Sequence, residues 1–512
     1  MRMKTRTMVR TTVVAILTAL VALILGFTQT LTTAITASLG LTAVQALIVP
    51  GTGTPNPDIV PNYLDNVMNY YVNPGGNCVE GSGSDCPAHT GIHYYATFWP
   101  IPLPGWGGLQ GQKWNVSVGQ GVDHLTDAYD LIPATDGNGD PNTVTVFGYS
   151  QGATVANIFK TQHPQDASDT DDPLTNYFFI GDPQRPSGGF FERFGFLGNV
   201  PILDAQFGQP ANTTNCTDGA EVRTCATDLA LQYDGVADFP QWLLNPVAFA
   251  NAAAGFQYIH GTYLAPDGDD AADATPYGYT PDEVQNIVDD VNLHGCTAAN
   301  ASYCQHVAGS DTIYITLPAR TLPLYQPVLD LGSALGATDL VVPVVDLLQP
   351  ATQTLIETGY NRTDYSKAQQ GTLLPPSTFN PIQTGVQLVK DVPIGINNAL
   401  TPGLQPLPGS CTCTVVGTDG TGPQSLAADN QTATQSVMTD NKPITRLSLF
   451  AKPGEGIATV TGATGTSGSN TNQPIKNALK DVHPVRDVVK AVSGAVSGAV
   501  NTAVGKSDAT SS

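Results

Sequence analysis

The sequence predicts an α/β fold, a mostly parallel sheet with helices on both faces. Three observations carry this expectation. Apolar runs of strand length alternate along the chain with segments of helical spacing, the order that builds parallel strand–helix–strand units. Thr143-Val-Thr-Val-Phe147 runs β-branched residues into an aromatic one as a buried strand does, and passes through Gly148-Tyr-Ser-Gln-Gly152 into Ala153–Lys160, a good helix sequence. Ala46-Leu-Ile-Val49 is a second strand, running into the glycine-rich loop Pro50-Gly-Thr-Gly-Thr-Pro55.

Taken in order, the chain opens with Arg2, Lys4, Arg6 and Arg10, followed by the apolar run Thr11 to Phe27. A basic n-region and an h-region address a chain to the export machinery. The run stays weakly apolar to about Ala46, with no charged residue before Asp58, and Thr32–Ser38 offers no sharp small-x-small cleavage site. Residues 1–42 are therefore expected to be a signal peptide or a membrane anchor, with the bulk of the chain outside. His93–Trp99 reads as a strand and Val118–Ile132 as an amphipathic helix, since Val118, Val122, Leu125, Tyr129 and Ile132 share a face. Gly137–Pro141 is a turn leading into the Thr143 strand, and Asn176–Gly181 is a further strand that ends in Asp182-Pro183. Leu229–Tyr233 is the next strand, entering Asp234-Gly-Val-Ala-Asp-Phe-Pro240. Pro246–Ala254 reads as helix, and Gly255–Ile259 as a strand that delivers His260.

From Leu317 to Tyr360 the chain is apolar and punctuated by proline, which suits one or two short helices completing the core or capping a groove. Beyond Gly409, Gly, Thr, Ser, Asn and Asp dominate, as in a disordered tail, although Val482–Val504 regains the spacing of an amphipathic helix interrupted by Gly494 and Gly498. The expected organisation is thus 1–42 leader or anchor, 43–327 main α/β domain, 328–409 apolar extension or cap, and 410–512 low-complexity tail.

Charged residues make up only 12% of the 512, with 39 Pro and 52 Gly, so loops should abound. The formal net charge of −22, with only 21 Lys plus Arg, would repel phosphate backbones and excludes nucleic acid as a partner. Eight cysteines fall in close pairs: 78/86, 216/225, 296/304 and 411/413. No C-x-x-C occurs, so local disulfides in an oxidising, exported compartment fit better than zinc, and no metal is expected. Cys411/Cys413 is the least certain pair, because a bridge that short is strained.

A G-x-S-x-G pentapeptide between strand and helix is the nucleophile elbow of α/β-hydrolases. The tight turn points Ser150 out of the sheet beside a helix N-terminus, and its flanking glycines prevent collisions with neighbouring backbone. A serine becomes nucleophilic when a histidine takes its proton and an acid orients that histidine, and in this fold both follow the serine in the chain. Of eight histidines, His89, His93 and His124 precede Ser150, His163 ends the following helix, and His483 lies in the tail. His260 is preferred as the base because it follows an apolar segment, with His294 and His306, which flank the Cys296/Cys304 loop, as alternatives. For the acid, Asp238 is preferred after its glycine turn; Asp234 is the alternative, and Asp182 comes one strand too early. The oxyanion donors expected are the backbone N–H of Gln151 and groups of the Gly51–Thr54 loop, Thr52 and Gly53 among them.

With these residues in place, the chain resembles the PE-PPE domain family of α/β serine hydrolases, related to cutinases. The resemblance rests on Pro50-Gly-Thr-Gly-Thr-Pro55, Gly148-Tyr-Ser-Gln-Gly-Ala153, Gly181-Asp-Pro-Gln-Arg-Pro-Ser-Gly-Gly189, Tyr233-Asp-Gly-Val-Ala-Asp-Phe-Pro240, Leu244-Asn-Pro246 and His260-Gly-Thr-Tyr263. It spans roughly Ala46 to Tyr360. In cutinases the acid lies between two cysteines, whereas here both candidates follow Cys225. The resemblance implies a cutinase-like α/β-hydrolase fold, an exported enzyme of the cell envelope or secreted medium, a Ser-His-Asp triad and no cofactor. The implied substrate is an acyl ester or a glycolipid. Some members resemble esterases or lipases. Others, with a membrane segment in place of a PE or PPE module, resemble acyltransferases that move fatty acyl groups between glycolipids such as acylated trehaloses. No such module is recognisable at the start of this chain, which shifts the expectation toward the lipid-modifying, envelope kind. The contrasting expectation is a non-catalytic surface or lipid-binding scaffold, and a secreted protease is a weaker third.

Overall fold

The computed structural model describes residues 46–74, 78, 86–136, 141–168, 171–268, 275–408, 414–415 and 424–425. The N-terminal apolar segment, most of the Gly137–Pro141 turn, the Cys411/Cys413 pair, His483, the Val482–Val504 helix and most of the tail lie outside the described residues. One unit runs from Met1 to Glu455; the second, Gly456–Ser512, lies wholly outside them.

The described chain builds a seven-stranded sheet from β1 (Ala46–Val49), β2 (His89–Gly91), β3 (Thr143–Tyr149), β4 (Leu174–Ile180), β5 (Ala226–Leu231), β6 (Cys304–His306) and β7 (Thr312–Leu317). The spatial order is β6-β7-β5-β4-β3-β1-β2, and every pairing is parallel except β6 with β7. The mostly parallel sheet read from the sequence is thus present. From β1 the chain goes outward to β2, then returns to place β3 on the other side of β1. That reversal makes the carboxyl ends of β1 and β3 the switch point, where open α/β sheets form their binding crevice.

Side chains alternate across the sheet as the two-residue period requires. Leu47, Val49, Val144, Val146, Tyr177 and Phe179 face one layer, covered by α1 (Trp114–Tyr129) and α2 (Gln151–Gln162). Ile48, Phe147, Tyr149, Phe178, Ile180 and Leu229 face the other. That second layer includes the buried face of α4 (Pro281–His294), which follows α3 (Pro246–Tyr258). Each such fully buried side chain contributes about 1.5–3 kcal/mol. Three disulfides, Cys78–Cys86, Cys216–Cys225 and Cys296–Cys304, staple loops as the cysteine spacing suggests.

Three local expectations change. His93–Trp99 is not a strand: β2 lies just before it and ends at Gly91. The segment instead bonds to loop and helix groups, Tyr94 N–H to the Pro55 carbonyl and Thr97 N–H to Ser117 Oγ. Gly255–Ile259 continues α3 to Tyr258 rather than starting a strand. Asn245 caps that helix by accepting from the N–H groups of Val247 and Ala248, Pro246 occupies its first position, and the alanines that follow favour helix over any strand. The proline-punctuated region holds longer helices than expected, α5 (Gln326–Ala334) and α6 (Thr338–Glu357), and α7 (Pro381–Leu400) follows beyond it. Pro343, Pro350 and Pro393 sit inside α6 and α7, where each removes one backbone hydrogen bond without ending the helix.

Candidate active site

Ser150 sits between the last residue of β3 and the first of α2 with φ 54° and ψ −116°, a conformation that side chains rarely adopt. The flanking glycines permit the turn. A Cβ on Gly148 would lie 2.6 Å from the Gly152 carbonyl, and one on Gly152 would strike the Val49 carbonyl of β1. Gln151 opens α2, so its N–H is one of the helix's orphan donors and stands at the positive end of the dipole. Its side chain is buried and fixed, accepting from Ser117 Oγ at 2.8 Å and donating to the Thr97 carbonyl at 3.0 Å. The loop after β1 runs alongside: a Cβ on Gly51 would stand 3.2 Å from Ser150 Cβ. Within that loop the Gly53 N–H donates to the Ala96 carbonyl at 2.7 Å, which removes it from the expected oxyanion donors and leaves Gln151 and Thr52.

His260 follows α3 by two residues and is nearly buried. Its Nε2 lies 2.8 Å from Ser150 Oγ, and its Nδ1 lies 3.0 Å from both carboxylate oxygens of Asp234. A carboxylate at Nδ1 favours the tautomer protonated there, which leaves Nε2 to accept from the serine hydroxyl. Asp234 is fully buried and also accepts from Tyr263 Oη at 2.7 Å and from the Val236 N–H at 2.9 Å. Tyr263 Oη in turn accepts from the Leu231 N–H at 2.9 Å. The hydroxyl of Tyr149 donates to the His260 carbonyl, and the Phe256 ring stacks on the imidazole at 6.0 Å.

The preferred acid, Asp238, stands elsewhere. Tyr233 adopts φ 70° at the end of β5, and the Asp238 N–H donates to the Asp234 carbonyl at 2.9 Å, closing one turn of chain. The turn directs Asp234 to His260, while Asp238 accepts from the Tyr233 N–H at 2.8 Å and from Arg362 at 2.7 and 2.9 Å. Arg362 also donates to Glu357 at 2.6 Å. Asp182 is buried at the end of β4, held by the Gln184 N–H and Asn157, and burial pushes its carboxyl up to about 6. The alternative bases do not contact Ser150: His294 pairs with Asp290 on the exposed face of α4, and His306 bonds to the Ser310 carbonyl beside edge strand β6.

The structure therefore brings together Ser150, His260, Asp234 and the Gln151 N–H, with the Thr52 loop adjacent. A serine bonded to an imidazole that is bonded to a carboxylate, beside a helix N-terminus, can carry out acyl transfer through a covalent intermediate. Three supporting residues escaped the sequence reading. Tyr263 and Tyr149 lie inside the quoted motifs, but a tyrosine there reads equally well as core. Arg362 lies some 120 residues beyond the aspartate it binds, and local sequence gives no sign of that pairing.

Known proteins share parts of this sequence. A family model described as "PE-PPE domain" matches residues 87–361, more than half of the chain. The chain is 30% identical over 354 residues to "Esterase PE16" of Mycobacterium tuberculosis, covering 68% of this chain and 55% of that protein. It is 29% identical over 276 residues to "Diacyltrehalose acyltransferase Chp2" of the same organism, covering 52% of this chain and 63% of that one. The chain thus spans little more than half the length of such relatives. Among solved structures, a cutinase-like protein from Cryptococcus sp. is similar over 39% of this chain and 82% of its own, at 14% identity and a TM-score of 0.20.

Proposed function

The chain belongs to the PE-PPE domain family, and from that premise we propose that it is an exported serine hydrolase cleaving carboxylic acyl esters of lipid-like substrates. The observation that carries the reading is the pair of contacts to one imidazole, 2.8 Å from Ser150 and 3.0 Å from Asp234. Ser150 Oγ attacks the ester carbonyl carbon while His260 Nε2 takes the hydroxyl proton. The tetrahedral oxyanion is stabilised by the Gln151 N–H, with Thr52 supplying the second donor. The alkoxide then leaves with the proton from His260, and the acyl group remains on Ser150. Water attacks that ester, giving its proton to His260, which returns it to Ser150 as the acid departs. Asp234 holds the imidazole in the productive tautomer and stabilises its charged form.

A second reading differs only in the acceptor: a sugar hydroxyl replaces water and the acyl group moves between glycolipids. The likeness to a relative named a diacyltrehalose acyltransferase favours it. Export, with retention in the envelope or release, is supported by the three disulfides and the basic-then-apolar start of the chain. The test is labelling by a fluorophosphonate probe, followed by peptide mapping, in the wild type and in Ser150→Ala. Labelling at Ser150 that is lost in the variant, with turnover of p-nitrophenyl esters in water, is the expected result. Labelling with negligible hydrolysis until an alcohol acceptor is added selects the transferase. An unlabelled, folded protein overturns both.

A further inference from the structure

Helices α6 and α7 pack side by side with their polarity inverted. Their buried positions include carboxylates and amides. Asp391 is 2% exposed and accepts from Thr354 Oγ1 at 2.6 Å and Gln387 Nε2 at 2.8 Å. Asp346 is 1% exposed and accepts from the Gln405 N–H, and the buried Gln349 accepts from the Leu322 N–H. The solvent-facing positions include a run of aliphatic side chains on each helix: Leu340, Val344 and Leu347 on α6, and Ile382, Val386 and Val389 on α7, are 42–77% exposed. Both sets run at i, i+4, i+7, one continuous stripe per helix, and Ile396 and Leu400 extend the second. A helix facing water carries the opposite pattern. An exposed apolar surface of this extent marks a place that meets something other than water.

Charge and position identify the occupant. In the two helices together, Asp346 and Asp391 are buried and Glu357 is held by Arg362, which leaves Asp339 and Lys390 as the outward charges. The stripes thus lack the aromatic and arginine anchors that protein interfaces favour, with Gln383 and Gln387 as exposed amides beside the second. An uncharged face on a chain of net charge −22 complements an uncharged lipid layer and is repelled by an anionic one. Each helix has 20 residues, roughly 30 Å of length. Among the described residues no helix is long and apolar enough to cross a membrane, so the pair suits lying on lipid rather than spanning it. In the chain α5, α6 and α7 come after β7, whose carboxyl end lies at the same sheet edge as those of β3 and β5, before Ser150 and Asp234. They are tied to the helix that delivers His260: Asn245, the cap of α3, donates to the Leu355 carbonyl and to Thr358 Oγ1 at the end of α6.

We propose that α6 and α7 form a docking face for an uncharged lipid layer, which holds the Ser150 edge of the sheet against acyl esters carried in that layer. The proposal rests on the hydrolase reading for its substrate and deepens it: the preferred substrates are aggregated, membrane-held esters. In the full chain, the introduced tryptophan of Val389→Trp is expected to be quenched by phosphatidylcholine vesicles with brominated acyl chains, whereas that of Asp218→Trp, at the exposed end of the short strand Cys216–Asp218, is not. An N-terminal segment inserted in the bilayer would tether both variants alike, so the contrast reports on this face. The double variant Ile382→Ser, Val386→Ser is expected to lose about tenfold in rate on an emulsified long-chain ester and nothing on a soluble short-chain ester. Absence of quenching in Val389→Trp, stronger quenching by phosphatidylglycerol vesicles, or an unchanged emulsion rate would each overturn the proposal. So would a dimer in light scattering that the double variant disperses, since a second copy would then cover the face. Loss of soluble-ester turnover in the wild type would instead remove the hydrolase reading, with the quenching result still deciding the docking face.

Discussion

Both carboxylate oxygens of Asp234 stand 3.0 Å from Nδ1 of His260, and no water-exposed surface remains on the aspartate. The pairing fixes which imidazole nitrogen carries the proton. Asp234→Asn offers an amide that can donate to Nδ1, which drives the proton to Nε2, where it opposes the serine hydroxyl. The expected loss in kcat on a soluble ester is about a thousandfold to ten-thousandfold, with the fold retained. Steady-state kinetics check it, and activity within tenfold of wild type would remove Asp234 from the relay.

Asp238→Asn is expected to behave differently, because its carboxylate faces Arg362 rather than His260. Removing one partner of a buried ion pair leaves the other charge uncompensated, at about 3–5 kcal/mol. Glu357 stays beside Arg362, so the lower end, about 3 kcal/mol, is expected here. Urea unfolding should show the loss, while kcat at a temperature where the variant is folded stays within about threefold. A collapse of kcat in folded Asp238→Asn would contradict the division of labour between the two aspartates.

That division marks where the sequence stopped being legible. The strand, the elbow and Ser150 could be read because glycine at 148 and 152 has a steric reason visible in the motif itself, whereas chain order only narrowed the base to His260, His294 and His306, and the apolar segment that favoured His260 is helix rather than strand. The choice between Asp234 and Asp238 could not be made locally. Both leave the same strand end, four residues apart, and the decision lies in the φ of Tyr233 and in Arg362, which comes from far along the chain. The helix over 255–258 was misread because Gly255 resembles a strand-opening breaker, whereas the Asn245 cap and the alanine run carry the helix through it. The inward polarity of α6 and α7 was equally hidden, since an apolar stripe in sequence says nothing about which side the protein occupies.

Tyr263 Oη bridges Asp234 and the Leu231 N–H, so Tyr263→Phe removes two hydrogen bonds and keeps the ring. A net hydrogen bond contributes about 0.5–1.5 kcal/mol, more when a charged group is involved. The expected outcome is a fall in kcat of about tenfold with KM unchanged, together with a stability loss of about 1–3 kcal/mol from the unpaired Leu231 amide. A fall in stability with kcat untouched would make Tyr263 a packing residue only.

Glu192 is fully buried, and neither of its carboxylate oxygens has a hydrogen-bond partner among the described residues. Burial, reinforced by the nearby Asp182 and only partly opposed by Arg193, pushes its carboxyl from an ordinary 4.5 up to about 8. Below 4.5 the group is protonated in both the folded and the unfolded chain and contributes no slope. Between 4.5 and about 8 the unfolded chain has released the proton that the fold retains, so stability falls as pH rises, by at most about 1.4 kcal/mol per unit. Above 8 the slope from this residue ends. Burial of Asp182 adds the same sign over its own window, from 3.8 to about 6. Glu192→Gln keeps the shape and removes the titration. Its melting temperature is expected to match the wild type near pH 4.5 and to exceed it increasingly up to pH 8, by thermal unfolding followed across that range. A variant whose stability declines with pH as steeply as the wild type would show that Glu192 is already ionised in the fold, paired by a route other than the one its burial implies.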